Sequence, residues 1–292
     1  MTRLTDTSGS AEPQDSNCVA STARGDRIAI LDTQALTRRF GKMTAVDELT
    51  ISVEAGEVFA LLGPNGAGKS TAIKMLTTLL PPSSGRAKIA GFDIKSQAAQ
   101  VRQLIGYVPQ ALSADGSLTG YENLLIFAKL YDIPRREREP RVRQALAFMG
   151  LQDAASRLVY QYSGGMIRRL EIAQSILHQP LVLFLDEPTV GLDPLARAAV
   201  WEQVRQLRDN YGTTIVLTTH FMEEADTLCS RVAIMDQGKV IAIGTPTELK
   251  ASLGKSGATL DDVFIHYTGN QLASGGSYRD VSRTRRTAQR LG

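Results

Sequence analysis

Cysteine is scarce in this sequence. Only Cys18 and Cys229 occur; they have no metal-like spacing, and they fit a reducing compartment better than a disulfide scaffold. A strong balance of charge is also missing. The formal net charge of +3 gives no argument for nucleic acid, so no nucleic-acid partner is expected. No apolar stretch approaches the ~20 residues a bilayer crossing needs. Residues 1–27 are polar, rich in Ser, Thr and Asp, and lack the apolar centre of a secretory signal. These absences point to a soluble, intracellular chain and leave a membrane partner open. The 292 residues, 43% hydrophobic, suffice for one large domain or two modest ones.

Against that plain background one stretch stands out. Gly63-Pro64-Asn65-Gly66-Ala67-Gly68-Lys69-Ser70-Thr71 fits the P-loop pattern G-x-x-x-x-G-K-[ST] at every fixed position. The apolar run Val58–Leu62 precedes it as a buried strand would, and residues 72–76 continue as a helix. In such a loop the glycines let the backbone wrap a phosphate, and the loop N–H groups and helix start face the anion. Lys69 is then expected on the β- and γ-phosphates of a nucleotide, and the Ser70 hydroxyl on magnesium.

The rest of the chain alternates strands with helices, which argues for an α/β domain with a largely parallel sheet. Residues 1–26 read as a disordered tail. A short strand is expected near 28–31 and another at 49–53, with 36–41 between them. Beyond the P-loop helix, 87–90 and 92–94 read as a hairpin, 97–104 as a helix and 105–108 as a strand ending at Pro109-Gln110. Strand signals then vanish from 111 to 162. Leu124, Leu125, Ala128 and Tyr131, and later Val142, Ala145, Leu146 and Met149, form apolar faces at helical spacing. The mixed charge run Arg135-Arg136-Glu137-Arg138-Glu139 reads as a solvated helix face. A helix opens at Ser163-Gly164-Gly165. Residues 181–185 are wholly apolar, as a strand covered on both faces would be. Helices at 194–209, 222–229 and 246–253, and strands at 214–218, 232–235 and 240–243, complete the pattern. The end, after Gly269, carries Arg279, Arg283, Arg285, Arg286 and Arg290 and reads as a disordered, solvated tail.

Chemistry concentrates at strand ends. Asp186 closes the apolar strand, where ligands gather in open α/β sheets, and is the natural second magnesium-binding group. Glu187 follows directly and is placed to orient and deprotonate an attacking water. Gln110 and His220 also follow strands and belong on the same carboxyl edge, the amide toward magnesium or water and the imidazole toward a γ-phosphate. Phe40, a strand and a turn before the P-loop, could stack on a base or fill the core; the sequence leaves both readings open.

This ordered set resembles the nucleotide-binding subunit of an ABC transporter, over about residues 28–253. Phe40 falls at the family's base-stacking aromatic, residues 63–71 at Walker A, Gln110 at the Q-loop and Ser163-Gly164-Gly165 at the signature core. Residues 181–186 match Walker B, with Glu187 the catalytic glutamate; Gly191-Leu192-Asp193 matches the D-loop and His220 the H-loop. The signature reads Tyr162-Ser163-Gly164-Gly165-Met166 instead of the common Leu-Ser-Gly-Gly-Gln. With Arg168-Arg169-Leu170, residues 219–225 and residues 260–264, it is similar to the daunorubicin-resistance and nodulation-factor exporters of the ABC-2 type.

The resemblance implies a P-loop NTPase domain at 27–253 with an antiparallel β subdomain and an inserted helical subdomain at about 111–176, followed by an extension, 254–292. It implies ATP and Mg2+ as cofactors, and two domains paired head to tail with each ATP between one Walker A and the opposite signature. Gly63, Pro64, Asn65, Gly66, Ala67, Gly68, Lys69, Ser70 and Thr71 would then bind nucleotide with Phe40 and, across the interface, Ser163, Gly164, Gly165 and Asp193. Glu187, His220 and Gln110 would act in hydrolysis, and Ser70, Gln110 and Asp186 would hold the metal. The partners implied are a second copy of the chain and a separate ABC-2 type permease, at the cytoplasmic face of the cell's inner membrane. Ribosome- or DNA-acting ABC proteins carry two such domains or a long coiled coil, neither of which this sequence has. An importer subunit is disfavoured by the signature and downstream segments.

Overall fold

The computed structural model describes residues 29–269; both terminal tails, Cys18 and the arginines beyond Gly269 lie outside the described residues. The chain begins with β1 (Ala29–Phe40), β2 (Met43–Leu49), β3 (Ser52–Glu54) and β4 (Val58–Leu62), then α1 (Lys69–Leu76). After β5 (Ser84–Ile89), β6 (Phe92–Asp93), α2 (Ala98–Leu104) and β7 (Ile105–Val108) come three helices: α3 (Gly120–Leu130), α4 (Arg135–Phe148) and α5 (Gly164–Ile176). The chain then runs through β8 (Val182–Asp186), α6 (Pro194–Tyr211), β9 (Thr214–Thr219) and α7 (Met222–Leu228). It closes with β10 (Arg231–Asp236), β11 (Lys239–Gly244), α8 (Pro246–Ala251) and α9 (Leu260–Thr268).

Two sheets result. The first is antiparallel, in order β2-β1-β5-β6 with β3 also paired to β1. The second has six strands in order β11-β10-β4-β9-β8-β7, all parallel except the β10–β11 hairpin. The apolar runs of β4, β8 and β9 follow from their place in the middle of this sheet, where both faces are covered. Along β4, Val58, Ala60 and Leu62 pack toward the helical side, with Leu183, Leu185, Ile215 and Leu217. Phe59 and Leu61 alternate to the other face, where Phe184 and Val216 meet Ile73 and Leu76 of α1 and Leu31 and Val46 of the antiparallel sheet.

The helical segment joins the first of these cores. Leu124, Ala128, Val142, Ala145, Leu146 and Met149 are all buried in it beside Leu170 and Ile172 of α5. The charge run at the start of α4 stays on its outer side, where Glu137 and Glu139 pair with Arg141 and Arg143 at 2.9 and 2.8 Å.

Three stretches differ from the sequence reading. Residues 29–40 form one long strand in place of a short one and a following segment. The alternation at 49–53 is divided, since Leu49 ends β2 and β3 begins at Ser52. The reason is Thr33, fully buried in β1, whose hydroxyl donates to the Leu49 carbonyl at 2.9 Å and accepts from Ile51 N–H at 2.8 Å. Residues 260–268, read above only as part of an extension, form α9, which opens with a Thr259–Asp262 capping box. Its Leu260, Val263 and Phe264 lie in the core beside α8.

Candidate functional site

Past Leu62 the chain turns sharply into α1. Gly68 stands at the helix N-cap with φ 102°, and a Cβ there would lie against the Ala45 carbonyl oxygen, so only glycine fits. No side chain caps α1, which leaves its first-turn N–H groups to the loop in front of them. Lys69 is almost fully buried. Its ammonium donates to the carbonyls of Gly63 and Pro64 at 2.7 and 3.1 Å and lies 3.3 Å from Glu187 Oε1. Burial pulls its pKa down, while the charges of Glu187 and Asp186 pull the other way.

Strand register assembles the acidic side. Asp186 pairs with Thr218 across β8 and β9, and Leu62 pairs with Thr219 across β4 and β9. The Asp186 Oδ1 therefore accepts from the Thr218 hydroxyl at 2.6 Å and from the Ser70 hydroxyl at 3.0 Å. Glu187 is held in the left-handed region at φ 48°, an uncommon conformation for a residue with a Cβ. Its N–H donates to Thr218 Oγ1 at 2.9 Å, which fixes that turn. Both carboxylates are nearly inaccessible, at 3% and 5% exposure. Around Glu187 Oε2 stand His220 Nδ1 at 3.2 Å and Gln110 Nε2 at 3.4 Å. Lys69, Ser70, Gln110, Asp186, Glu187 and His220 thus meet at one edge of the six-stranded sheet, as strand-end placement predicts.

Gln110 is itself anchored. Arg168 of α5 donates to the carbonyls of Pro109 and Gln110 at 2.7 and 2.8 Å, and pairs with Glu171 at 3.1 Å. Glu171 in turn accepts from the Ser113 N–H and, at 3.2 Å, from the Ser113 hydroxyl. The signature helix and the loop after β7 are therefore clamped together.

The remaining candidates stand apart. Ser163 caps α5 and Asp193 caps α6, each through its own side chain, by accepting from Met166 and Ala196 N–H at 3.3 and 2.9 Å. These two helix starts touch: a Cβ on Gly165 would come within 2.6 Å of the Ala196 Cβ, so glycine is required for the approach. Among the described residues no hydrogen bond or ion pair links Ser163, Gly164, Gly165 or Asp193 to Lys69, Ser70, Asp186 or Glu187. Phe40 is 42% exposed with the Arg38 guanidinium 4.6 Å over its ring, so it is no core aromatic. Sequence reasoning missed Thr218, Glu171 and the buried Glu224 with its partners Thr189 and Trp201. The polar Thr218-Thr219 pair closing an apolar strand, beside His220, was the available signal.

A P-loop on a parallel sheet, with two carboxylates, a histidine and a glutamine at its mouth, defines a nucleotide-hydrolysing class of protein. Residues 46–190 match the ABC transporter family. The chain is 48% identical over 226 residues to the daunorubicin/doxorubicin resistance ATP-binding protein of Streptomyces peucetius, covering 77% of this chain and 68% of that protein. It is 44% identical over 222 residues to the Nod factor export ATP-binding protein I of Burkholderia thailandensis, covering 76% and 73%. A solved ATP binding subunit of an ABC transporter superposes with a TM-score of 0.73 at 30% identity, covering 82% of this chain and 100% of that one. The chain belongs to the ATP-binding subunits of ABC transporters and is an ABC-type ATPase. No described helix is long and apolar enough to cross a membrane.

Proposed function

We propose that this chain hydrolyses ATP at a site shared between two copies of itself and so drives export through a separate ABC-2 type permease. The convergence of Lys69, Ser70, Asp186, Glu187, His220 and Gln110 on one sheet edge carries this reading. Lys69 exchanges its loop carbonyls and Glu187 for the β- and γ-phosphates, as a point charge. Glu187 accepts a proton from water as its oxygen attacks the γ-phosphorus, and ADP leaves. His220, beside Glu187 Oε2, orients toward the same phosphate. Phe40, exposed at the end of β1, stacks on the adenine.

A metal fits the donor set. The Ser70 and Asp186 oxygens, 3.0 Å apart, are hard ligands of the kind magnesium takes alongside phosphates and waters. Among the described residues no cluster of three or more His, Cys, Asp or Glu offers a self-sufficient cage. Ser70 and Asp186, with Gln110, would hold magnesium, which neutralises developing phosphate charge when bound.

Ser163 and Gly164, with Gly165 behind them, present an exposed helix start that among the described residues takes no hydrogen bond or ion pair from another element, which suits the γ-phosphate of a second copy. Asp193, at the neighbouring helix start, would join that interface. The clamp of Arg168 and Glu171 on the loop carrying Gln110 gives the helical segment a route for passing closure to the permease. The two relatives, one conferring daunorubicin/doxorubicin resistance and one exporting a Nod factor, support the outward direction; the cargo is drug-, oligosaccharide- or lipid-like. The place of work is then the cytoplasmic face of the inner membrane.

The test is to express tagged Glu187→Gln in the native host, solubilise membranes with ATP and magnesium, and identify what co-purifies. A polytopic membrane protein is expected. A preparation carrying ribosomes or DNA, or nothing, would contradict the exporter reading.

A further inference from the structure

Glu224 is fully buried on α7, and none of the chemistry above uses it. Its Oε1 accepts from the Thr189 hydroxyl at 2.9 Å and from the Trp201 indole N–H at 3.0 Å. Glu224 itself stands on α7, four residues after His220. Among the described residues Oε2 has no hydrogen-bond partner. Burial pushes the pKa of this group up, against the pull of its hydrogen bonds and of Arg197. A buried carboxyl without an ion-paired cation is a poor device for stability. Its connections suggest another use. Thr189 lies two residues after Glu187, on the segment leading to Asp193. Trp201 belongs to α6, the helix that Asp193 caps.

We propose that Glu224 is a positioning residue for hydrolysis, joining the segment after Glu187 to α6 and to α7, the helix that follows His220, through one buried oxygen. This rests on the roles given above to Glu187 and His220. Losing the oxygen frees the segment after Glu187, α6 and α7 to shift against one another, while the phosphate loop, to which Glu224 makes no hydrogen bond among the described residues, keeps its shape. Turnover should fall and nucleotide affinity should not. Glutamine keeps a carbonyl oxygen at the same place and should serve nearly as well, because burial already favours the neutral form.

The experiment uses the full chain with steady-state ATPase assays, equilibrium binding of a fluorescent ATP analogue, and emission from the chain's single tryptophan. Glu224→Ala should lower kcat by at least about tenfold with the nucleotide Kd within about threefold of wild type, as misplacement of reacting groups does. Its Trp201 emission should shift, because the indole loses its acceptor. Glu224→Gln should restore both the emission and kcat, the latter to within about threefold. A Glu224→Ala protein with shifted emission but unaltered kcat would overturn the proposal, and so would equal loss in the Gln variant. Should Glu224→Ala fail to fold, Thr189→Val removes one donor without changing shape. It should lose kcat several-fold, and wild-type turnover from it would overturn the proposal. Glu187→Gln is assayed alongside; hydrolysis by that variant would sink the assignment of Glu187 and leave the Glu224 measurement separately readable.

Discussion

The end of β8 and the start of α5 are both proposed to meet nucleotide, the second across an interface with another copy, yet they are built in opposite ways. At β8, Asp186 and Glu187 are buried and bonded to residues distant in sequence: Ser70, Thr218, Lys69 and His220. At α5, Ser163 and Gly164 are exposed, and the Ser163 side chain does no more than cap its own helix. The first region is preorganised for charge in a poorly hydrated setting, where electrostatic groups act most strongly. The second is a helix start that no hydrogen bond or ion pair joins to the first among the described residues. On the proposed reading, the site is complete only when a second copy meets α5.

Three substitutions break the contrast in graded ways. The largest effect belongs to Glu187→Gln, which removes the proton acceptor. Turnover should drop by about 10²–10⁴-fold, the range for losing a general base, with ATP affinity nearly unchanged. Hydrolysis near the wild-type rate would show that another group takes the proton. Next comes Ser163→Arg, which places bulk and charge at the exposed helix start. Hydrolysis should fall by about 10²-fold, as for a lost anion-stabilising contact, while an isolated copy still binds nucleotide. A raised Kd in the monomer would place Ser163 inside its own chain's site. The smallest is Phe40→Ala, where loss of base stacking, about 1–3 kcal/mol, should raise the KM for ATP and spare kcat. An unchanged KM for ATP in the variant would leave Phe40 without a role in holding the base.

Burial at Glu224 adds a sharper reading of the first region. Its folded pKa lies above the ordinary carboxylate value, so between the two pKa values the folded chain holds a proton the unfolded chain has released. Stability of the wild type, relative to non-titrating Glu224→Gln, should therefore be fullest at low pH and decline as pH rises through that window. Paired denaturant titrations check the sign; a difference that grows in favour of wild type with rising pH would contradict a carboxyl whose pKa burial raises.

The two regions were not equally legible in the sequence. Residues 63–71, Asp186 and Glu187 could be read because a phosphate loop and a strand-end acid follow from local rules. β4, β8 and β9 could be read because burial on both faces leaves each an apolar run, with polar residues only at strand ends. Thr33 broke the pattern of β1, because its hydroxyl is satisfied by backbone groups 16 and 18 residues away, which no local window contains. Glu224 was hidden for the same reason. Its partners lie 35 and 23 residues upstream, and it sits beside the exposed Glu223, so side-chain type alone cannot separate them. α9 was missed because nine residues with a single apolar stripe give a weak periodic signal.

Mixing two inactive variants tests the divided site most directly. A Glu187→Gln chain has a sound α5 start, and a Ser163→Arg chain has a sound set of Lys69, Asp186 and Glu187. If each site is completed by the other copy, a mixture forms one intact site per mixed pair. ATPase activity should then rise above the sum of the separate proteins and peak near equal proportions. Activity equal to that sum at every ratio would contradict the account and return the whole site to a single chain.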